Sequence, residues 1–159
     1  MQKIPVRFKR IDENRSFVLP AKATPCAAAY DIYASLPHDS AGVIAINPSY
    51  TIAIPTNLSV EVPQGWELVI TPRSGLALNG NISVLNTPGT IDSDYRGEIK
   101  VILHNFTPPV SFLIEPFLVY DGDRIAQLKI KPSYEIEWVE SQNLSMTIRG
   151  DHGFGSTGV

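Results

Sequence analysis

A carboxylate and an aromatic ring stand three positions apart in the run Asn86-Thr87-Pro88-Gly89-Thr90-Ile91-Asp92-Ser93-Asp94-Tyr95-Arg96-Gly97-Glu98-Ile99-Lys100-Val101. A Pro-Gly break precedes them, and a turn-rich segment, Ser93 to Gly97, surrounds the tyrosine. Ile99, Val101 and Leu103 then alternate with Lys100 and His104, the period of a strand. The pattern predicts a β-hairpin with Asp92 on its inner arm and Tyr95 at its turn. Water is a poor nucleophile, and an aspartate held on so constrained a stretch can serve as its general base. A solvated hairpin tip would carry the same residues for turn reasons alone, so the stretch needs company before it means chemistry.

Four other segments offer that company. Arg73 precedes Ser74-Gly75-Leu76-Ala77-Leu78-Asn79-Gly80, which reads as a short helix with Ser74 as N-cap and Asn79-Gly80 as a left-handed stop. A helix start exposes N–H groups that attract anions; an ordinary loop with a surface arginine is the alternative. Asp31 follows Ala27-Ala28-Ala29, small residues that let other segments approach closely, and a buried aspartate capping a neighbouring loop would look the same. In Gly122-Asp123-Arg124-Ile125-Ala126-Gln127-Leu128, strand alternation puts Ile125 and Gln127 on one face and Arg124, Ala126 and Leu128 on the other. Gln127 needs a hydrogen-bond partner there, structural or ligand. In the tail, Arg149 to Val159, successive glycines let N–H groups converge on an anion. Arg149 could fork onto a phosphate, and Phe154 could stack on a flat ring. The tail echoes a phosphate-binding loop, but Ser156 stands where the lysine belongs and no strand precedes it. Without apolar periodicity, residues 149–159 are expected to be a mobile arm.

The elements that must position these residues are short. Thirteen prolines and eleven glycines are spread over 159 residues, which leaves little room for long helices. Between them lie brief apolar alternations: Val6/Phe8, Val43 to Ile46, Ile52/Ile54, Leu58/Val60/Val62, Leu68/Ile70, Ile82/Val84, Ile99/Val101/Leu103, Phe117/Val119, Ile125/Leu128/Ile130 and Ile136/Trp138. Many short strands with regular turn signals read as an all-β sandwich, jelly roll or barrel. No repeat or linker divides the chain, so residues 1–159 read as one domain. A net charge of −3 argues against a sequence-independent nucleic-acid binder. No apolar run approaches a membrane span and no signal-peptide pattern opens the chain. The one cysteine, Cys26, allows no intrachain disulfide, and the three histidines, His38, His104 and His152, lie far apart without zinc spacing. A cytoplasmic protein without nucleic-acid or membrane partners is the simple expectation.

Together the five segments resemble the trimeric deoxyuridine triphosphatase (dUTPase) family, and its bacterial members in particular. The runs are AAYDIYA (28–34), PRSGLA (72–77), NTPGTIDSDYRGEIKV (86–101), GDRIAQL (122–128) and RGDHGFGSTG (149–158). They stand in the family's order and with its approximate spacing. Each alone is weak to moderate; five together are specific.

The resemblance implies a jelly-roll or distorted β-barrel subunit with one short helix, in a homotrimer whose active sites are shared between subunits. It implies hydrolysis of dUTP to dUMP and pyrophosphate with Mg²⁺. Asp92 would orient and deprotonate the attacking water. Tyr95 would pack under the deoxyribose and exclude a ribose. Asn86 and the backbone of Gly89, Thr90 and Ile91 would read the uracil edge. Arg73, Ser74 and Gly75 would hold phosphates, Gln127 would reach the α-phosphate region from another subunit, and Lys100 is a further substrate contact. Arg149, Phe154, Gly155, Ser156 and Thr157 would form a closing arm, with Phe154 over the uracil. No protein group would ligate the metal directly; Asp31 would meet it through water. Ala29 stands where the family usually has glycine, which bears on Asp31 alone. A dCTP deaminase of the same fold and a non-catalytic jelly-roll interaction module are the competing readings. The tail with Phe154 and the IDSDYRG run argue against the first. Retention of Asp92, Arg73, Arg149 and Phe154 together argues against the second.

Overall fold

The computed structural model describes residues 3–109 and 115–153. In chain order the strands are β1 (Arg7–Arg10), β2 (Tyr30–Tyr33), β3 (Val43–Ile46), β4 (Thr51–Pro55), β5 (Leu58–Glu61), β6 (Trp66–Thr71), β7 (Ile82–Val84), β8 (Gly89–Ile91), β9 (Lys100–Asn105), β10 (Phe117–Tyr120) and β11 (Arg124–Pro132). Among the described residues a single α-helix, α1 (Ser74–Gly80), separates β6 from β7, and a 3-10 turn spans His38–Ser40. Among the described residues every strand pairing is antiparallel.

Four sheets wrap one core. Two are ribbons, β1-β5 and β10-β3; the larger two run β2-β11-β6-β8 and β4-β9-β7. The alternation seen in the sequence explains the packing. Ile54, Leu58, Val60, Leu68, Ile70, Ile82, Val84, Val101, Leu103 and Val119 all point into a common apolar cluster. Fully burying each such side chain contributes roughly 1.5–3 kcal/mol before conformational entropy is set against it.

Three expectations are corrected. The segment around Asp92 is not a hairpin. Its two arms belong to different sheets: β8 pairs with β6, whereas β9 pairs with β4 and β7. Period-2 alternation marks a strand but does not name its partner, and here each arm pairs with strands elsewhere in the chain. Residues 92–99 therefore form a crossover loop between sheets. Second, α1 has its predicted length but shifted caps. Arg73 is the extended N-cap residue, Ser74 is already helical, and no side chain caps the start. The left-handed stop is Asn81, whose N–H bonds the Leu76 carbonyl, while Gly80 is still helical and lies close to the Phe117 ring. Third, Ile136 and Trp138 form no strand. Beyond β11 the chain runs on as an exposed segment.

Candidate active site

The site residues fall into two groups: one on the β2-β11-β6 part of the four-stranded sheet, the other where β8 of that sheet meets the β4-β9 sheet. The first gathers on β2, β11 and the end of β6. Gln127 lies opposite Asp31 on one side and Thr71 on the other, and side chains directly opposite in an antiparallel pair share a face. Asp31 is buried, with its side chain 5% exposed, and it is surrounded by donors. Arg73 Nε stands 3.5 Å from Oδ1, Arg124 Nη1 is 3.3 Å from Oδ2, and Gln127 Nε2 donates to Oδ1 at 3.5 Å. Arg73 also donates to the Arg124 carbonyl at 2.9 Å. Two guanidinium groups thus converge on one carboxylate beside the start of α1, where Ser74 and Gly75 are exposed. Buried charge is tolerated when it is paired in this way.

Strict alternation would keep Arg124 and Gln127 on opposite faces. The β11–β2 ladder shifts register between Arg124 and Ala126, and that irregularity turns Arg124 onto the face of Gln127. Arg124 is therefore a site residue that the sequence pattern concealed. Ala29 is buried, so its methyl is accommodated inside the chain.

The second group lines a cleft of about 430 Å³ formed by Ala53, Thr90, Ile91, Asp92, Tyr95, Glu98, Ile99, Lys100 and Ile102. Its floor is the outer face of β4 and β9, where Ala53 and Ile102 lie opposite each other. Its wall is β8, which among the described residues is an edge strand beside β6, and the loop that follows. Asp92 is exposed, and its main-chain oxygen accepts the Tyr95 N–H at 3.2 Å to close the turn. The Tyr95 ring folds back over Gly97, and its hydroxyl donates to the Glu98 carbonyl at 3.0 Å. Arg96 Nη1 donates to the Ser93 and Tyr95 carbonyls, and Ser59 Oγ donates to the Arg96 carbonyl at 2.8 Å. Thr56 Oγ1 donates to the Ile99 carbonyl at 2.6 Å, and Ile99 N–H to the Leu58 carbonyl at 2.8 Å. The Arg96–Ile99 half of the loop is thus pinned to β5 and the corner before it. Asn86 packs its amide 3.1 Å from where a Cβ of Gly89 would sit, so any larger residue there would press on the amide.

The two groups do not meet within one chain. Ile91 pairs with Leu68 and Gly89 with Ile70, so Asp92 lies level with Glu67. Arg73 lies six residues further along the extended chain of β6, on the order of 20 Å at about 3.3 Å per residue. Of the tail, Arg149 is exposed and donates from Nε to the His152 carbonyl at 2.9 Å. Phe154, Gly155, Ser156 and Thr157 lie outside the described residues. Among the described residues no three His, Cys, Asp or Glu side chains cluster as a metal cage.

Glu98, Gly97, Arg15 and Asn57 were not singled out in the sequence. Glu98 carried a weak signal, a carboxylate at the mouth of a strand. Arg15 and Asn57 carried none, because they act only through contacts remote in the chain.

A family model described as dUTPase matches residues 15–158. The chain is 45% identical over 153 residues to the deoxyuridine 5'-triphosphate nucleotidohydrolase of Beijerinckia indica subsp. indica, covering 96% of this chain and 91% of the relative. It is 43% identical over 156 residues to the protein of the same name from Anaplasma marginale, covering 98% and 99%. The fold superposes on a mutant of the Staphylococcus bacteriophage 80alpha dUTPase with dUpNHpp, at a TM-score of 0.78 and 25% identity over 98% of this chain and 99% of that one. The all-β jelly roll with one short helix is shared with that structure. On a match that spans nearly its whole length, this chain belongs to the dUTPase family.

Proposed function

We propose that the protein hydrolyses dUTP to dUMP and pyrophosphate, with base, sugar and water handled in the cleft and phosphates handled at the arginine cluster. The observation that carries this reading is the family match over residues 15–158, which includes the Asp92 cleft and the Arg73–Asp31–Gln127 cluster. Asp92 takes a proton from the attacking water, whose oxygen bonds to phosphorus as pyrophosphate leaves. Tyr95 packs under the deoxyribose, where a 2′-hydroxyl would collide with the ring. β8 is an edge strand, so alternate residues along Gly89, Thr90 and Ile91 turn their N–H and C=O groups to its free side, and with Asn86 this stretch reads the uracil edge. Lys100 lines the same cleft as a further contact. Arg73, Ser74, Gly75 and Gln127 hold phosphates, and the Arg149 to Thr157 arm closes over them, with Phe154 on the uracil. Hydrolysis removes the nucleotide that would place uracil in DNA and supplies dUMP for thymidylate synthesis.

Magnesium fits this site only as a passenger on the substrate. The oxygens of Asp31 already face Arg73, Arg124 and Gln127, and no protein cage of three acidic or imidazole ligands exists among the described residues. The metal would take phosphate and water oxygens, with Asp31 nearest to meet those waters. When bound, it would neutralise developing charge on the phosphates.

Shared sites in a homotrimer are the reading that the separation of the two groups supports. A base must lie within hydrogen-bond reach of its water, and a gap on the order of 20 Å does not allow that within one chain. A ring of copies lets the cleft of one face the arginine cluster of the next. The exposed segment after β11 supports the assembly: Tyr134 is 83% exposed, Trp138 87% and Met146 99%, large apolar side chains that one chain leaves in water. The lone, exposed Cys26 fits a reducing cytoplasm.

The deciding experiment measures pyrophosphate release from dUTP, dTTP, dCTP and UTP, with and without Mg²⁺. Magnesium-dependent turnover of dUTP alone is expected. Ammonia release from dCTP would instead indicate a deaminase, and no turnover of any nucleotide would indicate a binding module.

A further inference from the structure

Behind Tyr95 lies a buried ion pair that the proposed chemistry does not use. Arg15 Nη2 stands 3.0 Å from Glu98 Oε1, with the two side chains 10% and 14% exposed. The same carboxylate oxygen accepts the Asn57 N–H at 2.8 Å. Asn57 is fully buried in a left-handed conformation at the β4–β5 corner. Its own side chain accepts from the Ile11 and Asp12 N–H groups and donates to the Asp12 carbonyl. Arg15 Nη2 also donates to the Ser35 carbonyl. Glu98 is therefore tied to the N-terminal segment, to the β4–β5 corner and, through Arg15, to the end of β2.

The main chain of Glu98 faces the cleft, where its carbonyl receives the Tyr95 hydroxyl. One residue thus joins a rigid buried network to the ring that walls the sugar. The network is not there for stability alone. Among the described residues Arg15 Nε is buried with no hydrogen-bond partner, an arrangement that costs stability. A buried ion pair is in general no more stable than apolar groups of the same volume. What the pair supplies is a fixed position for the Glu98 peptide.

We infer that Arg15 and Glu98 are positioning residues that set the Tyr95 ring at the depth needed to refuse a ribose. The inference rests on the reading of Tyr95 as the sugar wall. It is tested by the ratio of kcat/KM for dUTP to kcat/KM for UTP, with melting temperature followed alongside. Glu98→Gln keeps the size and the acceptor for Asn57 but removes the charge that holds Arg15. Tyr95→Phe keeps the ring and removes only its bond to the Glu98 carbonyl. Each is expected to lower the ratio about three- to tenfold, the worth of one neutral hydrogen bond. The double variant should fall no further than the larger single effect, because both act on one contact. Arg15→Lys should lower the ratio in the same direction, since an ammonium cannot reach Glu98 and the Ser35 carbonyl as the guanidinium does. A purely structural role would lower the melting temperature and leave the ratio unchanged, and that result in folded Glu98→Gln overturns the inference. If the Arg15 and Glu98 variants do not fold, the exposed Tyr95→Phe decides: an unchanged ratio overturns it. Tyr95→Ala separates the two levels. If Tyr95→Ala leaves UTP refused, the sugar-wall reading falls and takes this inference with it. If Tyr95→Ala admits UTP while Glu98→Gln and Tyr95→Phe do not, the inference alone falls.

Discussion

Asp92 closes its turn with a main-chain oxygen and presents its carboxylate at the cleft wall. The loop is held by Arg96, Ser59 and Thr56, so the acid need not bond anything itself to stay in place. Asp92→Asn should therefore leave the loop and nucleotide binding intact while kcat falls by roughly 10²–10⁴, the usual worth of a general base. Single-turnover pyrophosphate release together with dUTP binding by calorimetry checks this; normal turnover would remove Asp92 from the role. Gly97 is needed for a different reason. A Cβ there would overlap the Tyr95 hydroxyl, which lies at the end of a side chain that can swing away. Gly97→Ala should expel the ring toward solvent with less than about 1 kcal/mol lost in stability. Its kcat/KM for UTP should rise relative to that for dUTP, which competition between the two nucleotides measures.

Among the elements, the register shift in β11 does most to build the phosphate side. Without it, Arg124 would point away from Asp31, and one guanidinium rather than two would neutralise that buried carboxylate. Helix α1 contributes by where it begins. Arg73 is extended and Ser74 helical, so the first free N–H groups lie beside the arginine that faces Asp31. The arm is the opposite kind of element. Among the described residues, Thr147 to His152 is organised by contacts within a few residues, such as Gly150 N–H to Thr147 Oγ1 and Arg149 Nε to the His152 carbonyl. Deleting residues 149–159 should cut kcat/KM for dUTP at least about tenfold, as expected for a lid, and shift the melting temperature little. Full activity in the truncated protein would mean that the arm is no lid.

For the whole molecule, the separation of the cleft from the arginine cluster predicts complementation. Asp92→Asn lacks the base but keeps the phosphate cluster; Arg73→Ala lacks the cluster but keeps the base. Each should be nearly inactive alone. After unfolding and refolding together at equal concentration, copies assort at random, and about a quarter of shared sites should carry both intact groups. Recovery of about that fraction of wild-type turnover is expected. Activity no greater than that of the separate variants would place each site within one chain.

The apolar spacing by itself determined that the chain is all-β, and the cap and stop residues of Ser74–Gly80 marked one short helix. Side chains two apart on a strand share a face, and that rule needs no knowledge of neighbours. The residue types likewise marked Asp92, Tyr95, Arg73, Asp31 and Gln127. What only the tertiary structure decided is which of these stand together. Alternation cannot name a strand's partner, so the two arms around Asp92 looked like a hairpin and are a crossover between sheets. Nor can it show an irregularity, so Arg124 appeared to face away from Gln127. Arg15 and Asn57 lie more than forty residues from each other or from Glu98, and the bonds that make them matter exist only after the chain has folded.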